Sequence, residues 1–449
     1  MNAGIEAGGR RAQARAIVAR LQAAGHAAFW VGGCVRDQLL GREPEDFDVA
    51  TSARPEQIEA LFDRTIPVGR QFGVILVILE GEPFQVSTFR TEGLYRDGRR
   101  PSEVRFTDAI EDAQRRDLTV NGLFFDPVRE VLHDWVGGQE DLRARRIRTI
   151  GDPAERLAED YLRLLRVVRF AAQLDFTVEP ATLSAVQANA AQIHRVSAER
   201  IREELMKLFR PPHAARGLDL LLESRLLREV LPEVAAFVAC VQSPDYHPEG
   251  SVYDHVREML ARLPANSPPL LPWVVLLHDV AKPVTASHDA ATGTIHFYGH
   301  ERVGAQMTQD VMSRLRFSRK EIETAVAVVR QHMQFKDVLR MRKATLRRLL
   351  MRETFPLELE LHRLDCLGSH GRLDHYEFLV REAAALARQP QIRPPLLRGD
   401  DLLALGLAPG PALGALLAEV REKQLSDELS SRDAALAWVK ARIGSGSLR

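Results

Sequence analysis

At Asp152 the sequence changes period, and that change limits what the chain can build. Upstream, apolar residues come in short runs suited to strands, at Ala28 to Val31, Phe47 to Ala50, Gly73 to Leu79 and Phe84 to Phe89. Glu80-Gly81-Glu82 between the last two predicts a hairpin. Downstream, apolar residues recur at three and four, so the remainder reads as helical with no strand evident. An α/β head with a mixed sheet followed by an all-α remainder is the class that both parts support.

The helical part breaks at Arg210-Pro211-Pro212-His213, from Ser243 to Gly250 and from Gln389 to Pro395. These breaks predict a head at 1–150, a helical neck suited to RNA at 151–242, a helical body at 243–388 and a helical tail at 389–449. In the tail, Leu405 to Pro411 reads as a tight turn between two helices. A chain of 449 residues, 45% of them hydrophobic, can fill several such cores.

Cys34, Cys240 and Cys366 lie far apart without C-x-x-C spacing. That supports neither a disulfide framework nor a thiolate zinc site, and fits a reducing, cytoplasmic setting. The arginines Arg10, Arg11, Arg15 and Arg20 interrupt any signal-peptide core, and no apolar run reaches spanning length, so no membrane partner is expected. Basic and acidic residues balance at 61 each, so a nucleic acid would be held by local patches.

Phe29-Trp30-Val31 runs into Gly32-Gly33 and then a short helix that Gly41 closes. Backbone N–H groups at Gly33, with Arg36 adding charge, can cradle a triphosphate, although a lone Gly-Gly turn is also an ordinary loop. Asp46-Phe47-Asp48 follows at the edge of the next strand. Period two sets both carboxylates on one face with Phe47 buried opposite. Such a pair suits magnesium ions shared by an attacking hydroxyl and a triphosphate, while a solvated strand end explains most triplets of this kind.

Gly32-Gly33-x-x-Arg36-Asp37 followed by Asp46-x-Asp48 resembles the nucleotidyltransferases of the DNA polymerase beta superfamily. More narrowly, it resembles the bacterial-type, class II family of tRNA CCA-adding enzymes and poly(A) polymerases. The resemblance continues in order through Arg115 to Gly122, Asp134 to Leu142, Glu159 to Arg163 and Arg200 to Leu205. It implies that Asp46 and Asp48 are catalytic and hold Mg2+, and that Arg116, Asp117 and Asn121 select ribose and position the triphosphate. It further implies that Asp160 and Arg163 read the Watson–Crick edge of cytosine or adenine without a template, leaving Arg115 structural.

Read from the residues alone, Asp160, Arg163, Arg166 and Arg169 recur every third position, as a polar stripe on one helix or as surface ion pairs. All four are counted here as nucleotide-binding. Gln85 stands where many relatives have an acid, and an amide can be neither metal carboxylate nor base. Either Asp46 and Asp48 suffice with a metal-bound hydroxyl, which is the expectation, or transfer is slower or lost. The resemblance gives the loop Thr91 to Pro101 a part in switching from C to A, which favours complete CCA addition. The lack of a basic tail at Ser445 to Leu448 speaks against poly(A) synthesis.

A second set, His255, His278-Asp279, His300, His332 and Asp365, resembles the HD superfamily of metal-dependent phosphohydrolases from about Tyr246 to Leu379. It implies a divalent transition metal and hydrolysis of RNA ends or nucleotides. Imidazole suits nickel, cobalt, manganese, iron or zinc better than magnesium. His247, His288, His296, His362, His370 and His375 read as core or surface residues. Between Phe335 and Leu349, Lys336, Arg340, Arg342, Lys343, Arg347 and Arg348 face only Asp337, as a phosphate-attracting patch or a solvated helix face.

The expected function is addition of CMP, CMP and AMP to the 3′ ends of tRNA from CTP and ATP. Alternatives are a poly(A) polymerase acting on other RNA ends, an A-only or CC-only enzyme, or an HD phosphohydrolase whose head merely binds nucleotide or RNA.

Overall fold

The computed structural model describes residues 3–92, 104–242, 250–289, 294–389, 392 and 394–444. They form two compact units, Met1–Ala235 with Arg314–Arg316, and Ala236–Ser313 with Phe317–Arg449.

The first unit carries a seven-stranded mixed sheet. Its strands are β1 Ala28–Val31, β2 Val49–Thr51, β3 Thr65–Gly69, β4 Val74–Leu79, β5 Glu82–Thr88, β6 Phe124–Asp126 and β7 Val131–His133. Their order is β3-β4-β5-β2-β1-β6-β7, and β2 with β5 is the parallel pair. Leu79 faces Glu82, so Glu80-Gly81 is a two-residue turn with φ of 54° and 90°, the handedness that matches strand twist. The predicted strand Phe47–Ala50 begins two residues later. Three-residue strands such as β6 and β7 show too little alternation to be told from loop.

Trp30, Phe84, Phe89 and Phe124 are fully buried in the sheet's core, joined by Ile17 and Leu21 from the helix Ala3–Ala23. Beyond the sheet, the helix Leu162–Leu174 buries Leu164, Leu165 and Val168 and packs on Ala198–Leu208 and Ala214–Glu223.

The expectation of no strand after Asp152 needs correction. Thr177–Val178 pairs in parallel with Arg146–Ile147, and Ser287–His288 pairs with Ile295–His296. Two-residue strands leave no periodic trace.

The second unit is otherwise helical. Leu271–Leu277 is apolar on every side and wholly buried, as a central helix must be. Val252–Ala261 and Arg319–Gln331 begin with capping boxes, Ser251 with Asp254 and Ser318 with Glu321. At Gly368 a side chain would meet Met259 at 2.9 Å, so this glycine lets the helix Phe355–Gly368 approach the one bearing His255. The tail packs a separate core of Leu402, Leu416, Val420, Ala435 and Val439, with Leu405–Pro411 linking its first two helices.

Among the described residues no helix is long and apolar enough to cross a membrane. The expected specificity loop falls outside the described residues from Gly93 onward, as do Ser445 to Leu448 and His247.

Candidate active sites

In the first unit a cavity of about 590 Å³ opens where β1, β2 and β5 meet the neck helices. Gly32, Gly33, Arg36, Asp48, Arg116, Asp117, Asn121, Asp160, Arg163 and Arg166 all line it. Gly32 has φ 73°, and a Cβ there would lie 3.1 Å from Arg116 Nη1, so the turn tolerates little but glycine.

The arginines around this cavity are held in place by carboxylates. Arg36 grips both oxygens of Asp37 at 2.9 and 3.0 Å and donates to Asn121 Oδ1 at 2.7 Å. Arg115 and Arg116 share the buried Asp112 at 2.7 and 3.2 Å. Arg166 Nε meets Asp117 at 2.6 Å, and Arg163 pairs with Glu159 while donating to the carbonyls of Arg156 and Arg115. Burial opposes ionisation of Asp117, but Arg166 and Arg163 hold it well below the usual carboxylate range. Deeper, the fully buried Asp141 accepts from Thr119 Oγ1 at 2.6 Å and from Arg146 and Arg148, which pins the turn carrying Asn121.

Asp46, Phe47 and Asp48 form the extended segment just before β2, with Phe47 buried 4.8 Å from Trp30. Asp48 enters the cavity. Burial raises its pKa and the Asp46 charge adds to this, with Arg116 opposing. A carboxylate so placed gains from a nearby cation, which fits a magnesium ligand. Asp46 is not in the cavity wall; its side chain is 76% exposed and pairs with Arg10 at 3.0 Å.

The supposed stripe on one helix is corrected here. Asp160 has extended dihedrals and precedes the helix Leu162–Leu174, and it does not pair with Arg163. Arg200 takes its carboxylate at 2.6 Å. Arg169 turns instead to the buried Glu204 at 2.6 Å, away from the cavity wall. Both partners lie 35 or more residues downstream, beyond the reach of local spacing. Gln85, Ser87, Arg90, Arg115 and Arg200 also line the cavity without having been assigned to it. For Arg200 the motif Arg200 to Leu205 was the available signal.

In the second unit His255, His278, Asp279, His300, His332 and Asp365 converge. His255 Nε2 lies 3.1 Å from Asp365, and Asp279 lies 3.1, 3.5 and 3.9 Å from His278, His300 and His332. Two ligand triplets result, His255-His278-Asp279 and Asp279-His300-His332.

The tautomers follow from the partners. Nδ1 of His278, His300 and His332 each faces a backbone carbonyl, at 2.8, 2.8 and 2.6 Å, and a carbonyl only accepts. The proton therefore sits on Nδ1 and the lone pairs of Nε2 point inward. His300 and His332 face each other through Nε2 at 3.2 Å, and Nε2 of His278 makes no aligned hydrogen bond. Converging lone pairs and carboxylates are the donor set a divalent metal needs.

Burial resists the charge on Asp279, yet the Lys282 ammonium beside it holds its pKa down. Burial pushes His332 down to about 4. Lys282, buried 2.8 Å from Asp279 and 2.6 Å from Gln242, was overlooked although it sits three residues past Asp279.

His362, His370 and His375 line a cavity of about 660 Å³ adjoining the cluster. The basic run after Phe335 is also partly spent. Lys343 and Arg347 pair with Asp427, and Arg348 pairs with Glu422, both acids of the tail.

Comparison with known proteins places these sites in context. Residues 28–148 match the Poly A polymerase head domain, 175–238 the probable RNA and SrmB-binding site of polymerase A, and 251–367 the HD domain. A CCA-adding enzyme of Levilactobacillus brevis is 31% identical over 430 residues, covering 94% of this chain and 96% of that protein. The Bacillus subtilis CCA-adding enzyme is 45% identical over 208 residues, 46% of this chain. The chain spans about half the length of the Bacillus relatives it matches, 52% in that case. The crystal structure of a Bacillus stearothermophilus CCA-adding enzyme in complex with CTP superposes with a TM-score of 0.75 at 27% identity, covering 96% of this chain and 97% of that one.

Proposed function

The chain belongs to the family of CCA-adding enzymes, and on that premise we propose that it adds CMP, CMP and AMP, without a nucleic-acid template, to tRNA 3′ ends from CTP and ATP. The observation that carries this is the single cavity wall shared by Gly33, Asp48, Asp117, Asn121, Asp160 and Arg163.

In this reading Asp46 and Asp48 are the catalytic carboxylates, and Arg36, Arg116 and Asn121 orient the triphosphate and ribose. Magnesium held by the two aspartates would supply charge neutralisation at the α-phosphate. The tRNA 3′ oxygen bonds to that phosphorus and loses its proton, the bond to the β-phosphate oxygen breaks, and pyrophosphate leaves. Asp160 can accept from the exocyclic amine of cytosine or adenine while Arg163 donates to a ring acceptor. Arg200 fixes the carboxylate and Glu159 the guanidinium, which supports recognition by a rigid pair. Arg166 acts through Asp117, and Arg169 through Glu204, as positioning residues.

Residues 1–150 would perform this transfer, 151–242 would engage RNA, 243–388 would form the HD phosphohydrolase and 389–449 its tail. In the HD body the six converging ligands would hold a divalent transition metal, which supplies Lewis acidity toward a phosphoester. Hydrolysis joins a water oxygen to phosphorus and breaks the ester bond, the departing oxygen taking a proton.

The test is to incubate the protein with tRNA lacking its terminal CCA, CTP, ATP and magnesium, and to sequence the 3′ ends. CCA is expected. A long A tract would mark a poly(A) polymerase, a lone A or CC a partial enzyme, and unchanged ends would overturn the proposal.

A further inference from the structure

This inference rests on reading the second unit as a phosphohydrolase. The cavity of about 660 Å³ has His332 and Asp365 of the ligand cluster in its wall, so it is an approach to the metal centre. Its side chains are graded from that end outward. His362 and His375 follow, both half-buried, with rings parallel within 15° and centroids 6.4 Å apart. Lys336, His370 and Arg372 are exposed at the rim, with Asp374 as the rim carboxylate.

Nearby in the same basic run, Arg347 is spent on Asp427 and Arg348 on Glu422. Among the described residues, Lys336 and Arg372 enter no such pair. Two uncommitted cations at the rim of a ring-walled cavity suit a ligand with a flat group and a second anionic charge.

We propose that this cavity binds the terminal nucleotide of an RNA 3′ end that carries a 3′-phosphate. The terminal phosphate lies at the histidine cluster, the base lies along His362 and His375, and the next internucleotide phosphate meets Lys336 and Arg372. A bare phosphate leaves the cavity empty. A mononucleotide leaves the rim cations without an anion.

The full-length protein, loaded with manganese or nickel, is assayed on a dinucleotide 3′-phosphate, a mononucleotide 3′-phosphate and p-nitrophenyl phosphate. The expected preference in kcat/KM for the dinucleotide over the mononucleotide is about tenfold, falling to about one in Lys336→Ala/Arg372→Ala. Equal rates on the two nucleotides in the unmodified protein, or a preference that survives the double substitution, would overturn the subsite.

A second readout needs no turnover. A labelled dinucleotide 3′-phosphate is titrated by anisotropy at low and high salt; weaker binding by the double variant, with a gap that closes as salt rises, is expected. Identical affinities contradict the proposal. Failure to hydrolyse p-nitrophenyl phosphate with any metal would instead overturn the phosphohydrolase reading, and the titration would still decide the subsite.

Discussion

In the head cavity opposite charges are matched across the fold, Arg166 with Asp117 and Arg200 with Asp160, whereas in the HD cluster like faces like, with His300 and His332 turning nitrogen lone pairs toward each other 3.2 Å apart. The first arrangement is rigid, and its wall carries more arginines than carboxylates, so it suits a substrate that brings negative charge. The second is incomplete as protein alone and is organised around an ion. Asp48 is the exception in the head, a carboxylate raised by burial, and there the two regions become alike.

The largest effect should come from that exception. Asp48→Ala should lower CMP incorporation by on the order of 10³-fold while leaving phosphoester hydrolysis intact, as single-turnover assays of both activities would reveal. Near-normal incorporation would remove Asp48 from the chemistry.

Next come the matched charges. Arg169→Met leaves the buried Glu204 only the more distant Lys207 and should cost about 3 kcal/mol in denaturant unfolding, most of it recovered by adding Glu204→Leu. No recovery in the double variant would mean the pair matters for more than charge balance.

How much of this was readable in advance differs between the two regions. The histidine-aspartate cluster was legible because His278-Asp279 sits in an apolar run, with His255 before it and His300, His332 and Asp365 after it in order. Lys282 escaped, hidden in the same run. The head was legible where chemistry is local, as in Gly32-Gly33 and the hairpin at Glu80-Gly81. It was illegible where partners are remote: Asp160 with Arg200, Arg169 with Glu204, and the basic run whose Lys343 and Arg347 close on Asp427. Periodicity reports a face, not what the fold brings against it.

A smaller effect concerns acid. The Asp117 pKa lies below its unfolded value of about 3.9, so its contribution is complete above that pH and is lost as pH falls through the folded value. Unfolding midpoints measured downward from pH 6 should therefore drop below about pH 4, and Arg166→Met should flatten that drop. An equally steep fall in the variant would remove this ion pair as the cause.

The smallest effect runs the other way. Because burial disfavours the Asp48 charge, Asp48→Asn should stabilise the magnesium-free protein slightly, seen as a higher melting temperature, while ending transfer. A lowered melting temperature would mean that Arg116 already satisfies this carboxylate.

The claim beneath the comparison is that one chain holds two separate chemistries. His278→Ala/Asp279→Ala, assayed side by side for manganese-stimulated phosphoester hydrolysis and for CMP and AMP incorporation into tRNA lacking CCA, tests it most directly. The account predicts that hydrolysis disappears and incorporation persists at the unmodified rate. Loss of both, in a variant whose circular dichroism is unchanged, would contradict it.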